Sequence, residues 1–273
     1  MRTWANGRLL TDPESPVVGV RDHGLTVGDG VFEVLKVVDG QTFALDRHLA
    51  RLARSAQGLG LPAIDEGEVR RAVAAVLDGD PLPLGRVRIT WTGGPAPLGS
   101  DRGDGPPSLL VAAAPMDPWP DSTAVVTVPW PRNERGALAG LKTTSYGENV
   151  RALARARQRG ASEAVFANLQ GHLCEGTGTN VFYVVDGELR TPTLAAGCLA
   201  GITRRLIVEW YGAKEVDEPI EVLAHASEAF LASTTRVVQA IARWDDRGLE
   251  APGSVTTEVR KVWQEHEADL FGR

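Results

Sequence analysis

The chain has 273 residues, of which 43% are hydrophobic and 23% charged, a balance typical of a globular enzyme with one large or two ordinary domains. Its formal net charge of −6 argues against a nucleic-acid or anionic-membrane partner, because both need a basic surface. The two cysteines, Cys174 and Cys198, are too few for a disulfide framework or a zinc cluster, so no metal site is predicted. No apolar leader follows Met1 and no apolar run approaches the ~20 residues of a membrane span, so we expect a cytoplasmic protein.

Strands and helices alternate along the predicted chain. Residues 31–38 are rich in β-branched side chains, and Asp39-Gly40 supplies a hairpin turn after them. Asp46 is the expected N-cap of a helix whose apolar stripe covers 47–58. The other predicted elements are helices at 66–78, 147–159, 202–212 and 255–270 and strands at 41–44, 86–92, 108–114, 123–128, 162–167, 179–185, 230–233 and 237–241.

This pattern predicts an α+β fold with two mixed α/β domains. Three prolines between 115 and 120 indicate a stiff connector at 116–122, which separates a small N-terminal domain at 1–115 from a C-terminal domain at 123–273. A cleft between such domains is a common ligand site. The regular βαβ alternation and the G-x-G-x-x-G turn of a dinucleotide-binding fold are absent.

Lys142 is the candidate nucleophile. It is a lone lysine among small, apolar and hydroxyl residues in the segment 138–146. A lysine desolvated there would have a lowered pKa, and its amine could then form a Schiff base. From this segment alone, a solvated surface lysine in a loop is the favoured interpretation, because most lysines are solvated.

Other candidates could bind an anion or a ring nitrogen. Glu175 precedes a hydroxyl-rich turn and could pair with a ring nitrogen or a cation, or simply belong to the turn. Gly201-Ile202-Thr203 opens a predicted helix, whose free N–H groups and Thr203 hydroxyl suit a phosphate unless Thr203 only caps the helix. Further candidate phosphate ligands are Ser233, Thr234 and Arg51, although Arg51 could lie on a solvated helix face.

These residues occur within ordered motifs: Gly28-Asp29-Gly30-Val31-Phe32-Glu33, His48-Leu49-Ala50-Arg51-Leu52, Lys142, Glu175-Gly176-Thr177-Gly178-Thr179-Asn180, Gly201-Ile202-Thr203-Arg204 and Ser233-Thr234-Thr235. In this order they resemble the fold-type IV (class IV) enzymes that depend on pyridoxal 5′-phosphate (PLP), from about Gly19 to Ile241. The family includes D-amino-acid aminotransferases, branched-chain aminotransferases and aminodeoxychorismate lyases.

The resemblance implies a PLP site in the interdomain cleft. Lys142 would anchor the cofactor and move a proton, and Glu175 would pair with its pyridine nitrogen. Tyr146 would lie near the phenolic oxygen. The phosphate would be held by Arg51, the N–H groups of Ile202 and Thr203, and the hydroxyls of Thr203, Ser233 and Thr234.

The segment 28–37 is most similar to D-amino-acid aminotransferases, which predicts amino-group transfer between D-amino acids and 2-oxo acids by a ping-pong mechanism. Two departures matter: Phe32 stands where those enzymes generally have tyrosine, and no arginine occurs in Trp91-Thr92-Gly93-Gly94. The candidates for binding the substrate carboxylate are therefore Lys36, Arg88 and Arg21, each of which could instead be a solvated charge.

Three other functions remain open. Ser145 replaces the asparagine of the lyase pattern Lys-x-x-Asn, which favours transamination over aminodeoxychorismate cleavage. Branched-chain aminotransferases are usually longer, and a binding protein without turnover would not need both Lys142 and Glu175. Family members are dimers, so we expect a homodimer in which Arg21 and His23 contribute to the partner's site.

Overall fold

The computed structural model describes residues 1–79 and 82–272. The chain divides into a first unit of Met1–Pro118, Leu141–Tyr146 and Leu270–Arg273, less the undescribed positions, and a second unit of Trp119–Gly140 and Gly147–Asp269. The division after Pro118 lies within the predicted connector. The segment that carries Lys142 belongs to the first unit, however, although its position in sequence places it in the predicted C-terminal domain.

The first unit is a six-stranded antiparallel sheet with helices. Its elements are β1 (Arg2–Ala5), β2 (Arg8–Leu9), α1 (His23–Thr26), β3 (Gly30–Val38), β4 (Gln41–Thr42), α2 (Leu45–Leu59), α3 (Glu66–Leu77), β5 (Leu84–Thr92) and β6 (Ser108–Pro115). The strand order is β2-β1-β6-β5-β3-β4. The longest ladder joins β3 to β5, with Phe32 opposite Thr90 and Val34 opposite Arg88.

The core of the first unit lies on one face of that sheet. Alternate residues of β3 point to it, and Val31, Leu35 and Val37 are fully buried there against Leu52 of α2 and Val73 of α3. The other face of β3 carries Phe32, Val34 and Lys36. Alternation therefore directs a distinct set of side chains away from the core.

The second unit is a nine-stranded mixed sheet with helices. Its elements are β7 (Ser122–Thr127), α4 (Gly147–Gln158), β8 (Glu163–Ala167), β9 (Leu173–Gly176), β10 (Asn180–Val185), β11 (Glu188–Thr191), α5 (Ile202–Tyr211), β12 (Lys214–Glu215), β13 (Glu228–Ser233), β14 (Val237–Trp244), β15 (Arg247–Gly248) and α6 (Ser254–His266). Short 3-10 helices cover Leu194–Ala196, Ile220–Ala224 and Glu267–Leu270.

This sheet is covered on both faces. Its strand order is β12-β11-β10-β13-β14-β7-β8-β9, with β15 paired to β14, and β7 runs parallel to both β14 and β8. Val125 packs on one side with Leu231, while its neighbour Val126 packs on the other with Ala152 of α4. Because both faces of the sheet are buried, the sequences of β7, β10 and β13 consist mostly of consecutive apolar residues.

The expected cap of α2 is wrong. Ala44, in the left-handed region with φ of 51°, precedes the helix and offers no side-chain cap. Asp46 lies in the first turn, where its carboxylate accepts a 2.6 Å hydrogen bond from Arg70 and favours the positive end of the helix dipole. Among the described residues, no helix is long and apolar enough to cross a membrane.

Candidate active site

The Lys142 segment is attached to β3 by backbone hydrogen bonds. The Phe32 amide donates to the Lys142 carbonyl (3.0 Å), and the Thr144 amide donates to the Gly30 carbonyl (2.8 Å). On the other side, the Lys142 amide donates to Ser55 Oγ of α2 at 3.1 Å. The lysine backbone is thus fixed on two elements of the first unit.

The Lys142 amine lies against two aromatic rings. Its Nζ is 4.5 Å from the Phe32 ring centroid and 3.5 Å from Tyr146 Oη, and the two rings meet edge to face at 5.1 Å. The structure places the Lys142 amine beside the Tyr146 hydroxyl.

Arg88 contacts one of these two rings, that of Phe32. Its guanidinium carbon is 3.9 Å from the Phe32 ring centroid, and its Nε donates to Thr90 Oγ1 at 3.2 Å. Arg88 and the Lys142 amine therefore contact the same aromatic ring. The exposed guanidinium is suited to a carboxylate that approaches the amine.

The other two carboxylate candidates are placed differently. Lys36 is buried, with its Nζ 5.9 Å and 5.6 Å from the ring centroids of Phe43 and Phe271. Arg21 is exposed, and its carbonyl accepts a hydrogen bond from the Ala96 amide at 2.9 Å. Of the three, Arg88 is the one that shares Phe32 with Lys142.

Arg51 is tied to a carboxylate that sequence reasoning did not single out. Its Nε and Nη2 each donate to Glu33 at 2.7 Å, and His48 Nδ1 is 2.7 Å from the same carboxylate. Burial raises the pKa of Glu33, but the Arg51 guanidinium and His48 outweigh it and lower that pKa from 4.5 to about 2. Burial also lowers the pKa of His48. The sequence did hold one signal for this contact. Glu33 lies on the same face of its strand as Val31 and Leu35, and a charge buried there requires a partner.

Glu175, near the end of β9, is oriented by a backbone amide and by an ion pair. Its Oε2 accepts the Leu199 amide at 2.8 Å, and its Oε1 is 3.3 Å from Arg132 Nε. Arg132 in turn lies 4.2 Å above the Phe166 ring and donates to Asn149 Oδ1 at 3.1 Å. Sequence reasoning missed Arg132, whose segment carries no motif. The pair presents an oriented carboxylate beside a fixed positive charge.

The turn after Glu175 is organised by a second missed carboxylate. Glu163 of β8 is buried and its Oε1 accepts the Thr177 amide at 3.0 Å, while Oε2 accepts from Thr179 Oγ1 at 3.4 Å. These bonds hold the hydroxyl-rich turn between β9 and β10.

The N-terminus of α5 has the features of an anion site. Thr203 Oγ1 has no hydrogen-bond partner among the described residues, although Thr203 is only 1% exposed. The first-turn amides of Ile202 and Thr203 have no partners inside the helix. A Cβ at Gly201 would lie 1.9 Å from Asn180 Oδ1, so a larger residue there would displace the Asn180 side chain. Ser233 ends β13 and Thr234 follows it in the same unit, and Ser233 Oγ accepts the Arg236 amide at 3.3 Å.

The predicted site residues therefore form two groups. The first unit holds Lys142, Tyr146, Arg51 and Arg88; the second holds Glu175, Ile202, Thr203, Ser233 and Thr234. The expectation that His23 is donated to a partner subunit is wrong, because His23 is 1% exposed and bonded within its own unit.

Comparisons with known proteins agree on one family. Residues 30–244 match the family model described as amino-transferase class IV. The chain is 32% identical to a putative branched-chain-amino-acid aminotransferase of Methanocaldococcus jannaschii, over 97% of this chain and 96% of that protein. It is 29% identical to the D-alanine aminotransferase of Bacillus licheniformis, with 97% and 96% covered. The solved fold IV-transaminase of Curtobacterium pusillum superposes with a TM-score of 0.83 at 30% identity, covering 93% of this chain and 92% of that one.

Proposed function

We propose, because this chain belongs to the class IV aminotransferase family, that it transfers amino groups between D-amino acids and 2-oxo acids. The family depends on PLP. When bound, this cofactor withdraws electrons from the substrate Cα, so that the Cα proton becomes acidic. The residues of this chain bind and orient the reactants and carry that proton.

The described side chains fit the cofactor. The unpartnered Thr203 hydroxyl and the first amides of α5 match the acceptor oxygens of a phosphate. Glu175, oriented by Leu199 and Arg132, would accept a hydrogen bond from a protonated ring nitrogen. Lys142 Nζ would anchor the aldehyde carbon and move the proton, and Tyr146 Oη would hydrogen-bond the phenolic oxygen. Ser233 and Thr234 supply further hydroxyls, and Arg51 a positive charge, for the phosphate.

The proposal depends above all on the Phe32 ring, which both Arg88 and the Lys142 amine contact. Phe32 has no hydroxyl to donate to a substrate carboxylate, and Lys36 packs between two rings. Arg88, stacked on Phe32, can make two parallel hydrogen bonds to that carboxylate. It would thereby hold the substrate Cα within reach of the Lys142 amine.

The test is a substrate screen with purified protein supplied with PLP. Formation of pyruvate from D-alanine, with 2-oxoglutarate as amino acceptor, should greatly exceed formation from L-alanine. Transfer from L-amino acids alone, or from none, would refute the assignment. Release of pyruvate and 4-aminobenzoate from aminodeoxychorismate would favour the lyase function.

A branched-chain aminotransferase is the second candidate. The Methanocaldococcus jannaschii relative with that name has 32% identity to this chain, against 29% for the Bacillus licheniformis D-alanine aminotransferase. L-leucine, L-isoleucine and L-valine therefore belong in the same screen, and faster transfer from them than from D-alanine would establish this alternative.

We further propose that the protein is a homodimer. Val20, Leu25 and Leu98 of the first unit are 82%, 64% and 81% exposed, and exposed apolar side chains of this size commonly mark an interface. Light scattering after size-exclusion chromatography should give twice the chain mass, and a mass of one chain would contradict the proposal.

A further inference from the structure

Outside the groups described above, the first unit contains a buried cluster of charges. Asp29 is 8% exposed and accepts hydrogen bonds from His23 Nδ1 (2.9 Å) and from Arg102 Nε and Nη2 (2.7 and 2.6 Å). Arg102 also donates to the carbonyls of Leu59 (2.7 Å) and Gly60 at the end of α2. The cluster ties together α1, α2 and the loop that follows β5.

The surroundings of His23 favour a proton on both ring nitrogens. Its Nδ1 faces the Asp29 carboxylate and its Nε2 lies 3.0 Å from the Gly99 carbonyl oxygen. Both partners are acceptors, so both contacts are hydrogen bonds only in the imidazolium form, and the hydrogen bond to Asp29 raises the pKa of His23. The charged groups that act on this imidazolium are Asp29, which favours it, and Arg102, which opposes it.

Asp29 lies between the two glycines that receive the Lys142 segment. The Gly30 carbonyl accepts the Thr144 amide at 2.8 Å, and the Gly28 carbonyl accepts the hydroxyls of Thr144 (2.9 Å) and Ser145 (3.1 Å). Gly28 has φ of +73°, and a Cβ there would lie 2.6 Å from Ser145 Oγ. The lysine segment therefore donates to the carbonyls of Gly28 and Gly30, which flank Asp29, and three nitrogen atoms of the cluster hold the Asp29 carboxylate.

We propose that Asp29, held by His23 and Arg102, is a positioning residue for Lys142. It acts through the carbonyls of Gly28 and Gly30, which fix residues 142–145 and hence the direction of the lysine side chain. This inference rests on the proposed role of Lys142 as the nucleophile, but the positioning exists in the chain before any cofactor binds.

Hydrogen–deuterium exchange of the cofactor-free protein tests the proposal. In Asp29→Asn, the Thr144 and Phe32 amides should exchange at least about tenfold faster than in the wild type, since charge-assisted hydrogen bonds are lost. The rate at which Lys142 captures added PLP, trapped with borohydride and located by peptide mapping, should fall in parallel. Circular dichroism verifies that the variant is folded.

Asp22→Asn is the matched control. Asp22 is also buried, at 3% exposed, but its carboxylate accepts from Thr92 Oγ1 (3.0 Å), Ser108 Oγ (2.8 Å) and the Gly24 amide (2.9 Å). It should leave exchange at Thr144 near the wild-type rate. Unchanged exchange in folded Asp29→Asn, or equal acceleration in Asp22→Asn, would overturn the proposal.

A second variant covers the case in which Asp29→Asn does not fold. Arg102→Gln removes the partly exposed member of the cluster and should accelerate Thr144 exchange about threefold. No acceleration in that variant would equally overturn the proposal. Because exchange is measured without cofactor, a wild-type protein that fails to transfer amino groups would refute the proposed function and leave this result intact.

Discussion

Replacing Thr203 by valine should change stability and cofactor binding in opposite directions. The hydroxyl is buried without a partner among the described residues, and an unsatisfied buried polar group costs about 1–3 kcal/mol. Valine has nearly the same shape, so the cofactor-free protein should gain about 1 kcal/mol and unfold a few degrees higher. With PLP, the lost hydrogen bond to a charged phosphate is worth about 1.5–3 kcal/mol, so Kd should rise about 10- to 100-fold.

Thermal unfolding without cofactor and fluorescence titration with PLP measure these two effects. Thr256→Val is the matched control, because Thr256 is equally buried but its Oγ1 donates to Glu228 at 2.7 Å. That variant should unfold at a lower temperature and bind PLP normally if folded. A destabilised cofactor-free Thr203→Val, or one that binds PLP as tightly as the wild type, would refute the assignment of this hydroxyl to the phosphate.

Three further predictions concern the first unit. Arg88→Gln should raise KM for D-alanine about tenfold or more with less effect on kcat, and Arg88→Lys should restore part of it; unchanged steady-state constants would place the carboxylate elsewhere. Glu33→Gln should cost about 3–5 kcal/mol in urea unfolding because the buried Arg51 guanidinium loses the negative charge of Glu33, and a neutral result would contradict this. Since the folded pKa of Glu33 is about 2 against an ordinary 4.5, its contribution is present above pH 4.5 and lost as pH falls towards 2. The hydrogen bond to Asp29 raises the pKa of His23 above 6.5, so its contribution is complete below pH 6.5 and lost as pH rises through the folded pKa. The difference in urea unfolding midpoint between the wild type and His23→Gln should therefore shrink as pH rises. A difference that stays constant with pH would refute the protonated form of His23.

Local patterns were sufficient for the long elements of the fold. The strand predicted at 31–38 is Gly30–Val38 and the helix predicted at 66–78 is Glu66–Leu77, because apolar periodicity is strong there. The strands at Arg2–Ala5 and Leu173–Gly176 were missed, since four residues carry too little periodicity to distinguish them from loops. Such short strands form because neighbouring strands offer hydrogen-bond partners, and that information is not local.

The site divides in the same way. Lys142 and Glu175 are marked by motifs, and the family assignment from those motifs is confirmed. Arg132 and Glu163 contact residues that are distant in sequence, so no motif spacing predicts their place in the site. Arg88 could be placed on a strand face from alternation alone, but its contact with Phe32 depends on the pairing of β3 with β5.

The attachment of the Lys142 segment to β3 has a consequence for synthesis. Residues 141–146 belong to the first unit, yet they follow the strand that receives them by more than a hundred residues of chain. A ribosome adds roughly 5–20 residues per second, so the Phe32 amide and the Gly30 carbonyl wait seconds for their partners. Lys142 thus joins a sheet whose strands have already been translated, and a nascent chain stopped before residue 141 leaves the Phe32 amide and the Gly30 carbonyl without these partners.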